Sequence, residues 1–211
     1  MNKFRTSILI LAMVFMGTQG LKAQEKGTSA FNIGIGAGSS TEIANDVLDG
    51  IGSIFTLGNF RYENESYSPV ILLGYKYAVI DRLMVGVNLT YQNAKTDRIV
   101  STDAKPVFGD LEGEITDNFY TIGIEGVYHY ISKPSFQMYS GLGIGYTMNT
   151  EKFVSNADSA SDRTDTYGLV PLQFTFAGFR FGKTIAASLE LGFGYKGVLN
   201  AGLSYQFQKK E

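Results

Sequence analysis

Residues 67–91 read YSPVILLGYKYAVIDRLMVGVNLTY. Apolar and polar side chains alternate on both sides of the Asp81-Arg82 pair. This period of two predicts two antiparallel strands joined by a tight turn. Tyrosines stand at the ends of the apolar face and aliphatic side chains lie between them. That order is typical of strands that cross a membrane with their aromatic rings among the head groups.

The same alternation recurs in eight segments, and the connections between them alternate in length. Short turns are predicted at 81–82, 132–134 and 181–183, and longer connections over 39–66, 93–118 and 149–167. On the long side only Lys196-Gly197 is tight. The pattern predicts an all-β fold, an eight-stranded antiparallel transmembrane β-barrel with short periplasmic turns and longer extracellular loops. The apolar faces fall within 31–37, 67–79, 83–91, 120–130, 136–148, 170–178, 185–195 and 199–207.

Three features of the strand faces favour a membrane barrel over a soluble one. They carry no Asp, Glu, Lys or Arg, and a lipid-facing surface is where charge costs most. A lipocalin-like barrel would turn its apolar face inward, yet the opposite faces here hold mainly Gly, Asn, Gln, Thr and Ser. The rings also sort into two girdles: Tyr75, Tyr77, Tyr128, Tyr130, Phe136, Tyr205 and Phe207 near the short turns, and Tyr67, Tyr91, Tyr120, Tyr146, Phe193 and Tyr195 near the long connections.

The first residues have the pattern of a secretory signal peptide. Lys3 and Arg5 precede an apolar run at 8–16, and Ala23 is a small residue at the predicted cut before Gln24. An anchoring membrane helix would need about 20 apolar residues, and Gly17 to Gly20 interrupt this run too early. We therefore predict a signal peptide at 1–23 and a single outer-membrane barrel domain at 24–211.

Composition excludes several other classes of protein and site. The chain has no cysteine, so disulfides, thiolate metal sites and a lipidated cysteine are excluded. Its formal net charge is −2 and it contains no basic cluster, which argues against a nucleic-acid partner. No cofactor is predicted.

In this layout, in the predicted Ala23/Gln24 cut and in the closing strand LSYQF at 203–207, the chain resembles the small eight-stranded outer-membrane barrels of OmpA/OmpX type, within the porin-like β-barrel family. The resemblance covers the mature chain and implies a location in the bacterial outer membrane. It also implies contact with outer-membrane lipid and lipopolysaccharide, and insertion by the barrel assembly machinery. Such families usually close on an aromatic terminal residue, whereas here 208–211 follow Phe207.

Three charged side chains are predicted to lie inside the barrel: Lys76, Glu125 and Glu190. Two carboxylates in a narrow lumen need a cation or a proton, and Lys76 is the natural partner. Arg180 has outward parity and is expected to reach the head groups, unless a bulge at Gly178 turns it inward. The preferred interpretation is a structural salt-bridge network, with a gate or proton relay as the alternative. A glycosidase is disfavoured because the interior of eight strands leaves no room for a sugar.

His129 is the only histidine, so a Ser-His-Asp hydrolase or lipid-modifying site would have to use it. It has inward parity near the short turns and is predicted to be a hydrogen-bonded lumen residue. The glycine runs 34–38 and 141–145 lie inside strands with no following helix, so they fail the context of a phosphate-binding loop. We interpret these inward glycines as room for bulky neighbours such as Tyr139 and Phe119.

The long connections are acidic, and their spacing matches no calcium-binding loop. The default interpretation is a solvated acidic surface. Weak divalent bridging to lipopolysaccharide is one further hypothesis, and contact of 39–66, 93–118 and 149–167 with an extracellular ligand is another. Ser39 to Glu42 form a capping box before apolar residues at helical spacing, which predicts a short helix over the barrel mouth. It would act as a lid or meet a partner.

The favoured functional hypothesis is a non-enzymatic outer-membrane protein with a structural or surface-interaction role in adhesion or ligand contact. It follows from the family resemblance. The alternative is a narrow channel for small solutes. A third hypothesis is an outer-membrane lipid-modifying enzyme.

Overall fold

The structure, a computed structural model, describes residues 25–40, 60–100, 110–155 and 162–207. The predicted signal peptide at 1–23 lies outside these residues, as does the part of the predicted short helix that follows Ser40. The described ranges hold ten strands. They are Ser29–Ala37 (β1), Phe60–Tyr67 (β2), Val70–Ile80 (β3), Leu83–Val100 (β4), Asp110–Lys133 (β5), Phe136–Ser155 (β6), Arg163–Leu169 (β7), Leu172–Gly182 (β8), Ile185–Gly194 (β9) and Leu199–Phe207 (β10).

Eight of these ten strands pair into a closed antiparallel ring. The order around the ring is β1, β3, β4, β5, β6, β8, β9 and β10, and β10 pairs back onto β1 with Phe31 opposite Tyr205. Tight turns at Asp81-Arg82, Pro134-Ser135 and Lys183-Thr184 join β3 to β4, β5 to β6 and β8 to β9. We call this end of the barrel the short-turn rim. The predicted eight-stranded antiparallel barrel is confirmed.

The connections on the other side differ from the prediction. The sequence predicts loops over 39–66, 93–118 and 149–167, but three strands extend into these ranges. β4 ends only at Val100, β5 begins already at Asp110, and β6 ends only at Ser155. β2 pairs with the extension of β4, and β7 with that of β6. Pro69 separates β2 from β3, and Pro171 separates β7 from β8, because proline lacks the backbone N–H that a continuous strand needs for pairing. We call this end the extended rim.

The barrel has its apolar side chains outside. Along β3 and β10 exposed and buried residues alternate, and the exposed ones are the predicted apolar faces. The interior is polar, with Asn88, Gln137, Thr147, Gln173 and Asn200 all buried. An eight-stranded ring is just wide enough for its side chains to fill. The filling is mainly polar, with one apolar cluster formed by Ala30, Ala78, Met84, Val127 and Tyr139. In the described ranges no helix is both long enough and apolar enough to cross a membrane.

Rings on the outward face lie near both ends of the barrel, as the alternation predicted. Tyr195 is the exception, because it is buried at 3 % exposure and points into the lumen. The exposed girdle positions are Tyr75, Tyr77, Tyr128, Tyr205 and Phe207 toward the short-turn rim, and Tyr120, Tyr146 and Phe193 toward the extended rim.

Candidate functional site

The middle of the lumen is occupied by four charged side chains, Lys76, Glu125, Glu190 and Lys196, which we call the lumen plug. Lys76 Nζ lies 2.7 Å from Glu125 Oε1 and 3.5 Å from Glu190 Oε1. Lys196 Nζ donates hydrogen bonds to Glu125 Oε2 at 2.8 Å and to Glu190 Oε2 at 2.7 Å. Each ammonium therefore bridges both carboxylates. The three residues named from the sequence come together, and Lys196 joins them.

Glycines let the long side chains of the plug lie across neighbouring strands on the lumen side of the barrel wall. In cross-strand register Gly86 stands between Lys76 and Glu125, and a Cβ at Gly86 would lie 2.7 Å from Lys76 Cγ. Gly178 stands in the same way between Tyr139 and Glu190. The Tyr139 ring passes over Gly178, and its hydroxyl donates to Glu190 Oε1 at 2.7 Å. The missing side chains are thus what allows partners two strands apart to meet.

Lys196 reaches the plug from the tight connection between β9 and β10. Gly194 has φ +141° and Gly197 φ +99°, conformations that favour glycine, so the alternation of the strand stops there. Both residues between these glycines then point into the lumen. Gln173 Oε1 accepts a hydrogen bond from Lys196 N at 2.9 Å, and the lysine is 1 % exposed. The sequence did carry a signal for it, since two buried carboxylates with only Lys76 left one charge without a partner.

Tyr195 fills the lumen beside the plug toward the extended rim. A Cβ at Gly123 would lie 2.6 Å from Tyr195 Cζ, and Gly143 and Gly145 also face this ring. Tyr139 was expected to be accommodated by the glycine runs 34–38 and 141–145, but its ring lies over Gly178, which the alternation had placed on the outward face. For the 141–145 run the ring is Tyr195, which the alternation had placed toward lipid.

Arg180 also lies inside the barrel, which corrects the expectation that it reaches the head groups. It is 5 % exposed, and its Nε donates to Ser204 Oγ at 2.7 Å. One terminal nitrogen donates to the Lys183 carbonyl at 2.6 Å. The register of β8 against β9 shifts between Thr175 and Ala177, two residues before the bulge position that the sequence suggested. This irregularity reverses the parity of the residues that follow it.

The His129 side chain is buried in the lumen near the short-turn rim, where its parity had placed it. Its ring centroid is 4.9 Å from that of Tyr139, and its backbone N donates to the Arg82 carbonyl at 2.8 Å. Its Nδ1 has no hydrogen-bond partner among the described residues. A cavity of about 30 Å³ lies beside it, bordered also by Asn88 and Asn200. This space holds roughly one or two water molecules, which buried polar groups of this kind usually bind.

At the extended rim, polar side chains tie the strand extensions together. Tyr91 donates its hydroxyl to Asn118 Oδ1 at 3.0 Å, and Asn93 Nδ2 donates to the same oxygen at 3.2 Å. Asn149 Nδ2 donates to Asp117 Oδ1 at 2.7 Å. Burial raises the pKa of Asp117, and the hydrogen bond from Asn149 acts in the opposite direction. These contacts make the extensions an ordered sheet that continues the barrel wall.

The sequence matches no protein-family model, and a comparison with curated proteins finds no relative. Solved structures do match. The N-terminal β-barrel domain of Pseudomonas aeruginosa OprF is 14 % identical, over 87 % of this chain and 98 % of that chain, with a TM-score of 0.41. Ail, the attachment invasion locus protein of Yersinia pestis, in complex with the heparin analogue sucrose octasulfate, is 13 % identical, over 86 % and 99 %, with a TM-score of 0.44.

The chain has the architecture of a small outer-membrane barrel. Its eight antiparallel strands form a closed ring with apolar side chains on the outside. A second structure of Ail, 15 % identical with a TM-score of 0.39, matches over 86 % of this chain and 99 % of that one. At such identities the likeness concerns the fold alone.

Proposed function

We propose that this protein is a non-enzymatic, non-conducting barrel of the bacterial outer membrane that supports the envelope and presents its extended strands for contact outside the cell. In this proposal residues 1–23 are removed on export, and the short-turn rim faces the periplasm. The observation that carries the proposal is the combination of an apolar outer surface with a lumen closed by paired charges.

The apolar outer surface supports the membrane location. Side chains such as Ile122, Leu142 and Ile185 are more than half exposed, and no core exists on that side to cover them. A water-soluble protein rarely exposes an apolar surface that continues around its whole body. Polar side chains have instead been placed inside, where they bind one another.

The lumen plug supports a closed barrel over the alternative of a narrow channel. The four charged side chains are only 1–10 % exposed, and the cavity of about 30 Å³ that borders three of them has room for only one or two water molecules. A solute would have to separate paired charges in a narrow, poorly hydrated space, which is costly.

We expect the purified protein to give single-channel conductance near background in planar bilayers. The matched comparison is the conductance of the Lys76→Ala, Lys196→Ala double variant, which lacks both cations that close the lumen and is expected to conduct more than the unmodified protein. Insertion of each protein is verified by protection from added protease. Stable openings of the unmodified barrel at neutral pH would contradict the proposal and favour the channel.

A non-enzymatic role is supported by the placement of His129. Its imidazole is 3 % exposed and packs against Tyr139, so a lipid or peptide substrate has no access to it. Within the described ranges, no group of three or more His, Asp or Glu side chains is arranged to hold a metal ion.

The extended strands support a role in surface contact. Beyond the outer girdle β4, β5 and β6 continue with polar side chains on the outward face as well, as at Asn93, Asn118 and Thr150. A strand with polar residues on both faces suits water on both sides and not lipid. The extensions therefore form a sheet that stands outside the membrane.

Trimming the extensions should separate the barrel from its surface role. Asn93 is paired with Asn118, and Asn149 with Tyr167, so Asn-Gly can replace 94–117 and 150–166 as two-residue hairpin turns. We expect the trimmed protein to insert in the outer membrane of a bacterial host but to lose attachment to cultured epithelial cells and matrix-coated plates. Attachment equal to that of the untrimmed protein would contradict the surface role.

A further inference from the structure

A groove with a volume of about 480 Å³ crosses the outward face of β3, β4, β5 and β6 near the extended rim. Two cross-strand rows form its walls, and the paired Thr90 and Thr121 lie between them. This volume lies within the range of small-molecule sites, about 300–1,000 Å³. The upper wall consists of Ile71, Tyr91, Tyr120 and Met148, and the lower wall of Leu73, Leu89, Ile122 and Tyr146.

The groove stays open because two of its rings are held toward the extended rim. The Tyr91 hydroxyl donates to Asn118 Oδ1 at 3.0 Å, and the Tyr91 and Tyr120 ring centroids are 5.1 Å apart. Tyr146 leans over Gly168 of β7, where a side chain would collide with its hydroxyl. The rings therefore do not fold back onto Leu89 and Ile122, and the space between the rows is left unfilled.

Polar and then basic side chains follow the groove in the direction of the extended rim. The next outward row, about 7 Å along the strands, holds Asn93, Asn118 and Thr150. One step further, Lys95 and Lys152 stand on either side of Thr116, with backbones about 10 Å apart. Lys152 forms no ion pair with any described residue, whereas Lys95 shares an exposed pair with Glu114 at 2.9 Å.

We propose that this groove binds one acyl chain of an anionic phospholipid, with the phosphate held by Lys152 and Lys95. The inference rests on the proposed membrane location, which places the groove in the leaflet at the extended rim. Along the strands the apolar groove is followed by the polar row of Asn93, Asn118 and Thr150 and then by Lys95 and Lys152. A phospholipid has the same order of acyl chain, glycerol region and phosphate. Lys152 is the main anchor, because Glu114 competes for Lys95. Each lysine near an anionic lipid surface is expected to favour binding about fivefold.

The absence of tryptophan from the chain permits a direct test. The Tyr120→Trp variant carries a single reporter in the groove wall, and Leu203→Trp carries one on the exposed face of β10. Each is placed in phosphatidylcholine vesicles that contain either brominated phosphatidylglycerol or brominated phosphatidylcholine at equal mole fraction. Because each reporter is compared between two head groups with identical chains, its depth in the membrane cancels.

We expect the Tyr120→Trp reporter to be quenched several-fold more effectively by the phosphatidylglycerol, and the Leu203→Trp reporter equally by both lipids. Adding Lys152→Ala and Lys95→Ala should remove the preference. Gly168→Ala, which pushes the Tyr146 hydroxyl toward the groove, should weaken it. Gly126→Ala is the matched control, because a Cβ there meets nothing within 4 Å.

Equal quenching of the groove reporter by the two lipids would overturn the inference, and so would a preference that survives removal of both lysines. If brominated chains quench neither reporter, the protein has not inserted, and the proposed membrane location itself fails. Insertion without head-group preference refutes the groove alone.

Discussion

Lys196→Met is expected to destabilise the folded barrel by about 3–5 kcal/mol, the usual cost of removing one partner from a buried ion pair. Methionine keeps the length and approximate volume of the side chain but removes the ammonium that bridges Glu125 and Glu190. Both carboxylates would then depend on Lys76 alone. The measurement is the free energy of unfolding from urea titration of the protein in phosphatidylcholine vesicles.

Lys95→Met is the matched control for this experiment. It breaks an ion pair of similar length, 2.9 Å to Glu114, but both side chains are about half exposed. Water screens such a pair, so the expected loss is about 0–1 kcal/mol. Adding Glu190→Gln to Lys196→Met should recover part of the loss, because one lysine then faces one carboxylate. Coupled neighbours of this kind interact by about 0.5–3 kcal/mol. A Lys196→Met protein as stable as the Lys95→Met control would show that paired charge does not hold the lumen closed.

Tyr195→Ala is expected to cost about 3–5 kcal/mol, the range for deleting a buried aromatic ring. The ring packs against Gly123, Gly143 and Gly145, which carry no side chains that could move into the vacated space. The same urea titration measures the loss.

Tyr195→Phe separates the ring from its hydroxyl. Among the described residues that hydroxyl has only a weak polar contact, with Asn88, so its removal should change the free energy of unfolding by less than about 1 kcal/mol. If Tyr195→Ala were as mild as Tyr195→Phe, the ring would face lipid, as the simple alternation of β9 had predicted, and not the lumen.

Several features could be predicted from the sequence because they depend on local periodicity. The eight strands follow from the alternation, and the short turns fall within a residue or two of their predicted places. The inward direction of Lys76, Glu125 and Glu190 follows from the same parity, since in a strand the side-chain direction depends only on odd or even position. The apolar outer surface requires no knowledge of which strand pairs with which.

Errors arose where this parity stops. At Thr175–Ala177 one irregular pairing turns Arg180 inward, and after Gly194, which has a positive φ, Tyr195 points inward as well, whereas Lys196 keeps the inward parity of Glu190. Alternation also underpredicts the strand lengths at the extended rim, because the apolar pattern ends at Tyr91 and Met148 while backbone pairing continues to Val100 and Ser155.

The sequence by itself determined the eight strands of this barrel and its apolar exterior, because a period of two in side-chain polarity marks each strand and the face that it exposes. Only the tertiary structure decided how the lumen is closed. Lys76, Glu125, Glu190 and Lys196 come from three strands and one turn, and they meet because glycines such as Gly86 and Gly178 leave room across the wall. A contact between side chains on strands far apart in sequence depends on register and on missing atoms, which periodicity does not encode.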